Sequence, residues 1–216
     1  MTHPESTVNR PGRSRDSSID QRVLAAAGRQ LAEVGFEAMS MAAVARNAGT
    51  TRQAVYRRWS TKSELAGAVI GQLPQAYEPS RRHDQESPFV DPFGDLVAEL
   101  ADFAAGVSGP GRLFLVGTML QDTTDAAVQE RYRAEIVAPR RRRLREILEQ
   151  AIRLELVDAD ADLELAVTLG TGSWYARALA GDPVPPEWPA RAAALVWRAV
   201  GGTVPTPVAS GAAGLR

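Results

Sequence analysis

Between its proline- and glycine-rich breaks, the chain repeats its apolar residues at three- and four-residue spacing and never alternates them. Ile19, Val23, Ala27, Leu31 and Val34 form one such series, and Leu96, Leu100 and Phe103 another. That period places apolar side chains on one face of a helix, whereas a half-buried strand needs a period of two. Val, Ile and Thr do not gather in short runs between turns, and no internal repeat is visible. The expected fold is therefore all-α. Three stretches interrupt it: a polar, arginine-bearing start, a segment from Leu73 to Pro92 with four prolines, and a Pro/Gly-rich end from Thr203. These divide the chain into an arm at 1–17, a head at 18–65, a body at 66–202 and a tail at 203–216.

The head reads as short, capped helices. Ser18 can cap the first and Gly35 can end it, with Phe36 packing back over the end. Ser40 can cap a second helix through Met41, Val44 and Ala45, which stops at Gly49. Thr51 can cap a third, carrying Arg52, Gln53, Ala54, Val55, Tyr56 and Arg57. Thr61-Lys62-Ser63-Glu64 is a capping box for a fourth: the threonine hydroxyl serves Glu64, and the glutamate serves the Thr61 donor. Helices two and three, with Ala48-Gly49-Thr50 between them, make a helix-turn-helix outline. Val44 and Val55 can bury between the two, and Ala45 permits close approach.

The third helix then exposes Arg52, Gln53 and Tyr56. Arginine and glutamine match the donor and acceptor patterns of base edges in a major groove. Tyr56 and Lys62 suit phosphate oxygens, as do the unpaired donors at the start of the fourth helix. Trp59 reads as packing between helices one and four. Arg57 and Arg58 read equally well as solvated or as phosphate contacts. Arg10, Arg13 and Arg15 read as part of a plain disordered arm.

Charge is distributed in the same sense. The chain's net charge is −1, but its first 65 residues hold ten basic and six acidic side chains, so arm and head together are at +4 and the rest at −5. A basic head on an acidic body fits a protein that meets a polyanion at one end.

The run Ser40-Met41-Ala42-Ala43-Val44-Ala45-Arg46-Asn47-Ala48-Gly49-Thr50-Thr51-Arg52-Gln53-Ala54-Val55-Tyr56-Arg57-Arg58-Trp59, followed by Lys62 and Leu65, resembles the TetR-family DNA-binding signature. The Val-Ala pair, the Ala-Gly turn, Tyr56, Trp59, Lys62 and Leu65 occupy its places, and the preceding Gly35-Phe36 also matches. The sequence departs from it at Gln53, where the family often has Gly or Ala, at Trp59 for Phe, and at Ser60-Thr61 before the lysine. The resemblance implies DNA contacts from Ser40, Thr50, Thr51, Arg52, Gln53, Ala54, Tyr56, Arg57 and Lys62. It further implies a homodimeric repressor on a palindromic operator in double-stranded DNA, released by a small molecule. An activator or an unspecific DNA binder is the alternative, and a helical enzyme stands further off.

In the body, Asp91 and Pro92 open a helix, and Leu113–Leu120 reads as a short, strongly apolar one. A long helix from Thr124 to about Leu156 is expected to kink at Pro139. Its Arg140–Arg143 run reads as a solvated face paired with Glu135, Glu146 and Glu149. The next helix has two apolar stripes: Leu163, Val167, Gly170 and Trp174, and Leu165, Leu169, Gly172, Ala176 and Leu179. One can cover the core while the other meets a second copy. The final helix, opened by Pro185-Pro186, carries Trp188, Ala192, Leu195, Val196 and Ala199. The expected dimer interface is Leu165, Leu169, Gly172, Ala176, Leu195 and Ala199, and the resemblance also places dimerisation on the last two helices. For the ligand pocket it implies the middle of the bundle, where Phe103, Phe114, Met119, Trp174 and Tyr175 are expected. Those groups favour a hydrophobic or aromatic effector over a highly charged one.

Other functions lack their residues. There is no cysteine, and the two histidines, His3 and His83, fall in expected arm and loop segments. No glycine-rich phosphate loop, metal-ligand cluster or Ser-His-Asp set is apparent, so no cofactor, metal or catalytic residue is expected. No apolar run approaches a membrane span, and the start does not resemble a secretion signal, so a cytoplasmic protein is expected.

Overall fold

The structure, a computed structural model, describes residues 17–76, 90–108, 116, 117, 119 and 125–205. The expected arm up to residue 16, most of the Leu73–Pro92 break, most of the Leu113–Leu120 helix with Phe114, His3, His83 and nearly all of the tail lie outside the described residues. Within them every regular element is helical: α1 (Ser17–Ala38), α2 (Met41–Asn47), α3 (Arg52–Tyr56), α4 (Lys62–Ala76), α5 (Pro92–Val107), α6 (Ala126–Tyr132), α7 (Ala138–Arg153), α8 (Leu163–Leu179) and α9 (Trp188–Ala199). A π-helical turn, Arg133–Val137, joins α6 to α7. No described helix is long and apolar enough to cross a membrane.

Two apolar cores organise the chain. The first joins Val23, Ala27 and Leu31 of α1, Val44 and Ala45 of α2, Val55 of α3, and Leu65, Ala66, Val69 and Ile70 of α4. It does not stop at residue 65. Met119 and Val128 belong to it, and Leu73, Tyr132 and Ile136 pack on its edge. The second joins Leu96, Leu100 and Phe103 of α5, Leu144, Ile147 and Leu148 of α7, Val167 and Trp174 of α8, and Trp188, Val196 and Trp197 of α9. Helix α4 thus packs its buried face into the head and also contacts α6 and the π turn.

Local expectations mostly hold. Thr51 Oγ1 accepts from the Ala54 amide at 3.1 Å, and Asp91 accepts from Gly94 at 3.0 Å with Pro92 following. Pro139 has no N–H to give to the ladder. The distortion lies just before it, where the backbone widens from α to π bonding.

Several expectations need correction. Val34 is 48% exposed, because the chain turns at Gly35 and Phe36 closes the helix end in its place. Ser40 precedes α2, but its hydroxyl makes no capping bond; its backbone N–H donates instead to the buried Gln30 amide at 3.1 Å. Glu64 reaches back to the Ser60 amide (2.6 Å) rather than that of Thr61. Helix α4 runs through Leu73 and Pro74 to Ala76. The last helix starts at Trp188, with Pro189 in its first turn.

Candidate nucleic-acid interface and ligand cavity

The turn between α2 and α3 is closed by backbone alone. The Thr50 amide donates to Ala45 O at 3.0 Å, and the Gly49 amide to Arg46 O at 3.2 Å. This is the Schellman arrangement, which requires a left-handed residue, and Gly49 sits at φ +64°. Arg22 of α1 braces the turn by donating from Nε to Ala48 O at 3.1 Å. With the turn fixed, α3 buries Val55 completely and Ala54 to 8% exposure. Its outer face carries Arg52, Gln53, Tyr56 and Arg57, all exposed. Arg52 donates to the Tyr56 hydroxyl at 3.3 Å, and its guanidinium lies 5.2 Å from that ring's centroid.

The expected DNA-contacting residues therefore separate into three groups. Ser40, Thr51, Arg52, Gln53, Tyr56 and Arg57 are exposed around the two helix starts and the outer face of α3, with Thr50 half-buried beside them. Ala54 is turned inward, so its side chain packs under α3 rather than toward a groove. Lys62 is engaged elsewhere: Nζ donates to Glu37 O at 3.0 Å and stands 4.4 Å from the Phe36 ring centroid. It clips the end of α1 to the start of α4. Trp59 packs against the head core, and Arg58 is held by Asp20 of α1 and by Ala54 O. Sequence reasoning missed Arg22 and Gln30, because their partners lie 26 and 10 residues away.

The second site is a cavity of about 1020 Å³ between α4, α5, the π turn, α7 and α8. Of the expected pocket residues, Phe103, Met119 and Tyr175 line it. Trp174 stands behind them, 5% exposed, edge-on to Phe103 at 6.0 Å. Leu73, Val107, Tyr132 and Ile136 add apolar wall. The wall is less apolar than expected, because Glu99, Arg140 and Arg143 also face the cavity. The arginine run pairs with neighbouring helices rather than with its own: Arg140 and Arg143 lie 3.7 and 3.8 Å from Glu99 of α5, and Arg141 donates to Glu164 of α8 at 2.7 Å. Arg145 also pairs with Glu164. Burial pushes the Glu99 carboxyl above the usual range, outweighing the two arginines. Burial likewise raises the Tyr175 phenol.

On α8 the two apolar stripes part as their spacing requires. Val167, Gly170 and Trp174 are buried, while Leu165 (54%), Leu169 (48%) and Leu179 (84%) are exposed. Ala176 is exposed beside them and Gly172 is half-buried. On α9, Trp188, Ala192 and Val196 are buried, and Leu195 (65%) and Ala199 face outward.

A braced turn with a polar, cationic helix face above it defines a helix-turn-helix DNA-binding protein. Comparison with known proteins agrees. Residues 23–69 match the family described as bacterial regulatory proteins, tetR family, and residues 91–196 match the tetracyclin repressor-like C-terminal domain. A Bacillus subtilis protein, the uncharacterized HTH-type transcriptional regulator YdeS, is 28% identical over 174 residues, covering 80% of this chain and 85% of its own. The chain belongs to the TetR family of transcriptional regulators. Among solved structures, a TetR regulator from Agrobacterium tumefaciens superposes with a TM-score of 0.61 at 22% identity, covering 85% of this chain and 93% of that one. One from Haloarcula marismortui gives 0.65 at 21%, covering 86% and 97%. These two likenesses establish the fold.

Proposed function

We propose that the protein is a homodimeric repressor that holds a palindromic operator and releases it when a small, largely hydrophobic ligand fills the cavity. The observation that carries this reading is the outer face of α3, where Arg52, Gln53, Tyr56 and Arg57 all stand exposed over a fixed turn. In a major groove, Arg52 and Gln53 read base edges, while Tyr56 and Arg57 meet phosphates. Ser40, Thr50 and Thr51 lie at helix starts, where backbone donors favour an anion. Lys62 contributes by fixing the α1–α4 corner.

The second copy is supported by the outward leucines of α8 and α9, an apolar face that water does not favour. Two-fold pairing presents two α3 helices to half-sites spaced by whole turns of DNA. The ligand response is supported by shared residues. Leu73, Met119, Tyr132 and Ile136 line the cavity and also pack on the core that carries α2 and α3. An occupant of the cavity therefore touches the same side chains that seat α4.

Selection of bound DNA from a random pool tests the reading. The expected product is a palindrome with two equal half-sites. Recovery of unrelated sequences, with binding governed by salt alone, would refute a specific regulator.

A further inference from the structure

The polar corner of the cavity narrows the class of ligand, an inference that rests on the ligand-responsive reading above. Glu99 projects from α5 with its side chain only 13% exposed, and it lines the cavity. Its two cationic neighbours, Arg140 Nε at 3.7 Å and Arg143 Nε at 3.8 Å, are close enough to pair by charge but too far to hydrogen-bond. No other donor among the described residues reaches it. A mostly buried carboxylate that accepts no hydrogen bond from the described residues is costly to leave so, and here it faces the cavity.

We infer that the cavity takes a neutral aromatic compound bearing a hydroxyl, which donates to Glu99 while its ring lies against Phe103 and Tyr175. The cavity is also lined by Arg133, Glu135, Arg141, Arg142 and Glu146, but the head group follows from the charges at this one corner, Glu99 with Arg140 and Arg143. An ammonium offered to Glu99 would meet two guanidiniums, one of them 5.3 Å from the Phe103 ring centroid. A carboxylate offered to the arginines would meet Glu99. A neutral hydroxyl gives a proton to Glu99 and brings no net charge into a buried place. The upward displacement of the Glu99 carboxyl has the same origin, since burial already works against charge in this corner.

The aromatic body follows from the wall. The Phe103 and Tyr175 rings stand edge to face, 5.5 Å apart at 81°, and Val107, Met119 and Ile136 continue the surface beyond them. A flat ring meets such a corner with favourable edge and face contacts on two sides. The cavity's volume of about 1020 Å³ lies at the upper end of small-molecule sites and accommodates a fused-ring compound.

Calorimetric titration of the full-length protein with four probes of one body tests this: 1-naphthol, naphthalene, 1-naphthoate and 1-naphthylmethylammonium. We expect 1-naphthol to bind at least about ten-fold tighter than each of the others. In Glu99→Leu its advantage over naphthalene should shrink to about two-fold or less, with circular dichroism confirming the helical fold. If that variant does not fold, the ranking on the native protein decides alone. Tightest binding of the naphthoate or the ammonium, no advantage over naphthalene, or binding of none overturns the inference. Operator binding by the ligand-free protein is measured alongside. Intact operator binding with a failed ranking sinks this inference alone, whereas a correct ranking without operator binding sinks the regulator reading alone.

Discussion

The Ser63 hydroxyl donates a 2.8 Å hydrogen bond to the Asp125 carboxylate, tying the first turn of α4 to the cap of α6 across 62 residues of chain. Further along the same helices, Arg131 of α6 lies over Gly67 and Gly71 of α4 and donates to Glu135 at 2.8 Å. Near the far end of α4, Leu73 joins Tyr132 and Ile136 of α6 and the π turn at the edge of the head core. The helix that follows the DNA-facing head is thus fixed to the cavity wall at three levels.

The first tie is pH-dependent. The Ser63 hydroxyl, and then the Ala127 amide, hold the Asp125 carboxyl below the usual range. A carboxylate held low in the folded state adds stability at pH values above its unfolded range, and that stability is lost as pH falls through the lowered folded value. Asp125→Asn should therefore lower the urea midpoint at neutral pH. The gap to the native protein should close in acid below the ordinary carboxylate range. A gap that is constant with pH would contradict this role for Asp125.

The second tie depends on space. A Cβ at Gly71 would stand 2.9 Å from the Arg131 guanidinium and 3.3 Å from Glu135. Gly71→Leu should displace Arg131 and lower unfolding stability by about 1–3 kcal/mol. Gly28→Ala is the contrasting case, since its Cβ would make ordinary contact with Val69 at 3.5 Å. It should raise stability by roughly 0.5–1 kcal/mol through helix propensity. Urea unfolding of both variants checks the pair of signs.

Which features were readable in the sequence depends on how far apart the partners are. The Gly49 turn, the Thr51 and Asp91 caps and the two stripes of α8 involve residues within about two turns of each other, so spacing alone located them. The arginine run misled, because its partners Glu99 and Glu164 stand on other helices, beyond any i,i+4 rule. Lys62 reads from its residue type as a phosphate ligand, and only the fold shows that Glu37 O lies within 3.0 Å of it. Ala54 sits between exposed neighbours in sequence, yet the helical turn points it inward beside Val55. A motif names the residue types of a site, while the packing of distant helices decides which of them remain available.

The outward leucines of α8 make a separate prediction. Leu169 is 48% exposed in the single chain and lies one turn from Leu165 on the same side of α8. Leu169→Asp would place a charge on the proposed pairing face while leaving the buried stripe of Val167, Gly170 and Trp174 untouched. Sedimentation should show a dimer for the native protein and a folded monomer for the variant. An intact dimer in the variant would rule out this face as the contact.

Finally, the contact between Arg52 and Tyr56 bears on how the proposed operator would be read. Held by the Tyr56 hydroxyl at 3.3 Å and by the ring beneath it, the Arg52 guanidinium is oriented before DNA arrives. Gln53 makes no such contact and points outward beside it, free to pair with an adenine edge. Gln53→Ala should thus relax preference at one base pair in each half-site, by about 1–3 kcal/mol, with the rest of the selected sequence unchanged. Arg57→Ala should weaken all sequences alike and reduce the salt slope by about one. Because Arg57 carries no base-reading role in this arrangement, a change in selected sequence from its removal would show that α3 lies in the groove at a different angle. Tyr56→Phe keeps the ring and loses only the hydroxyl, so it should weaken preference at the base pair proposed for Arg52 less than Arg52→Ala does.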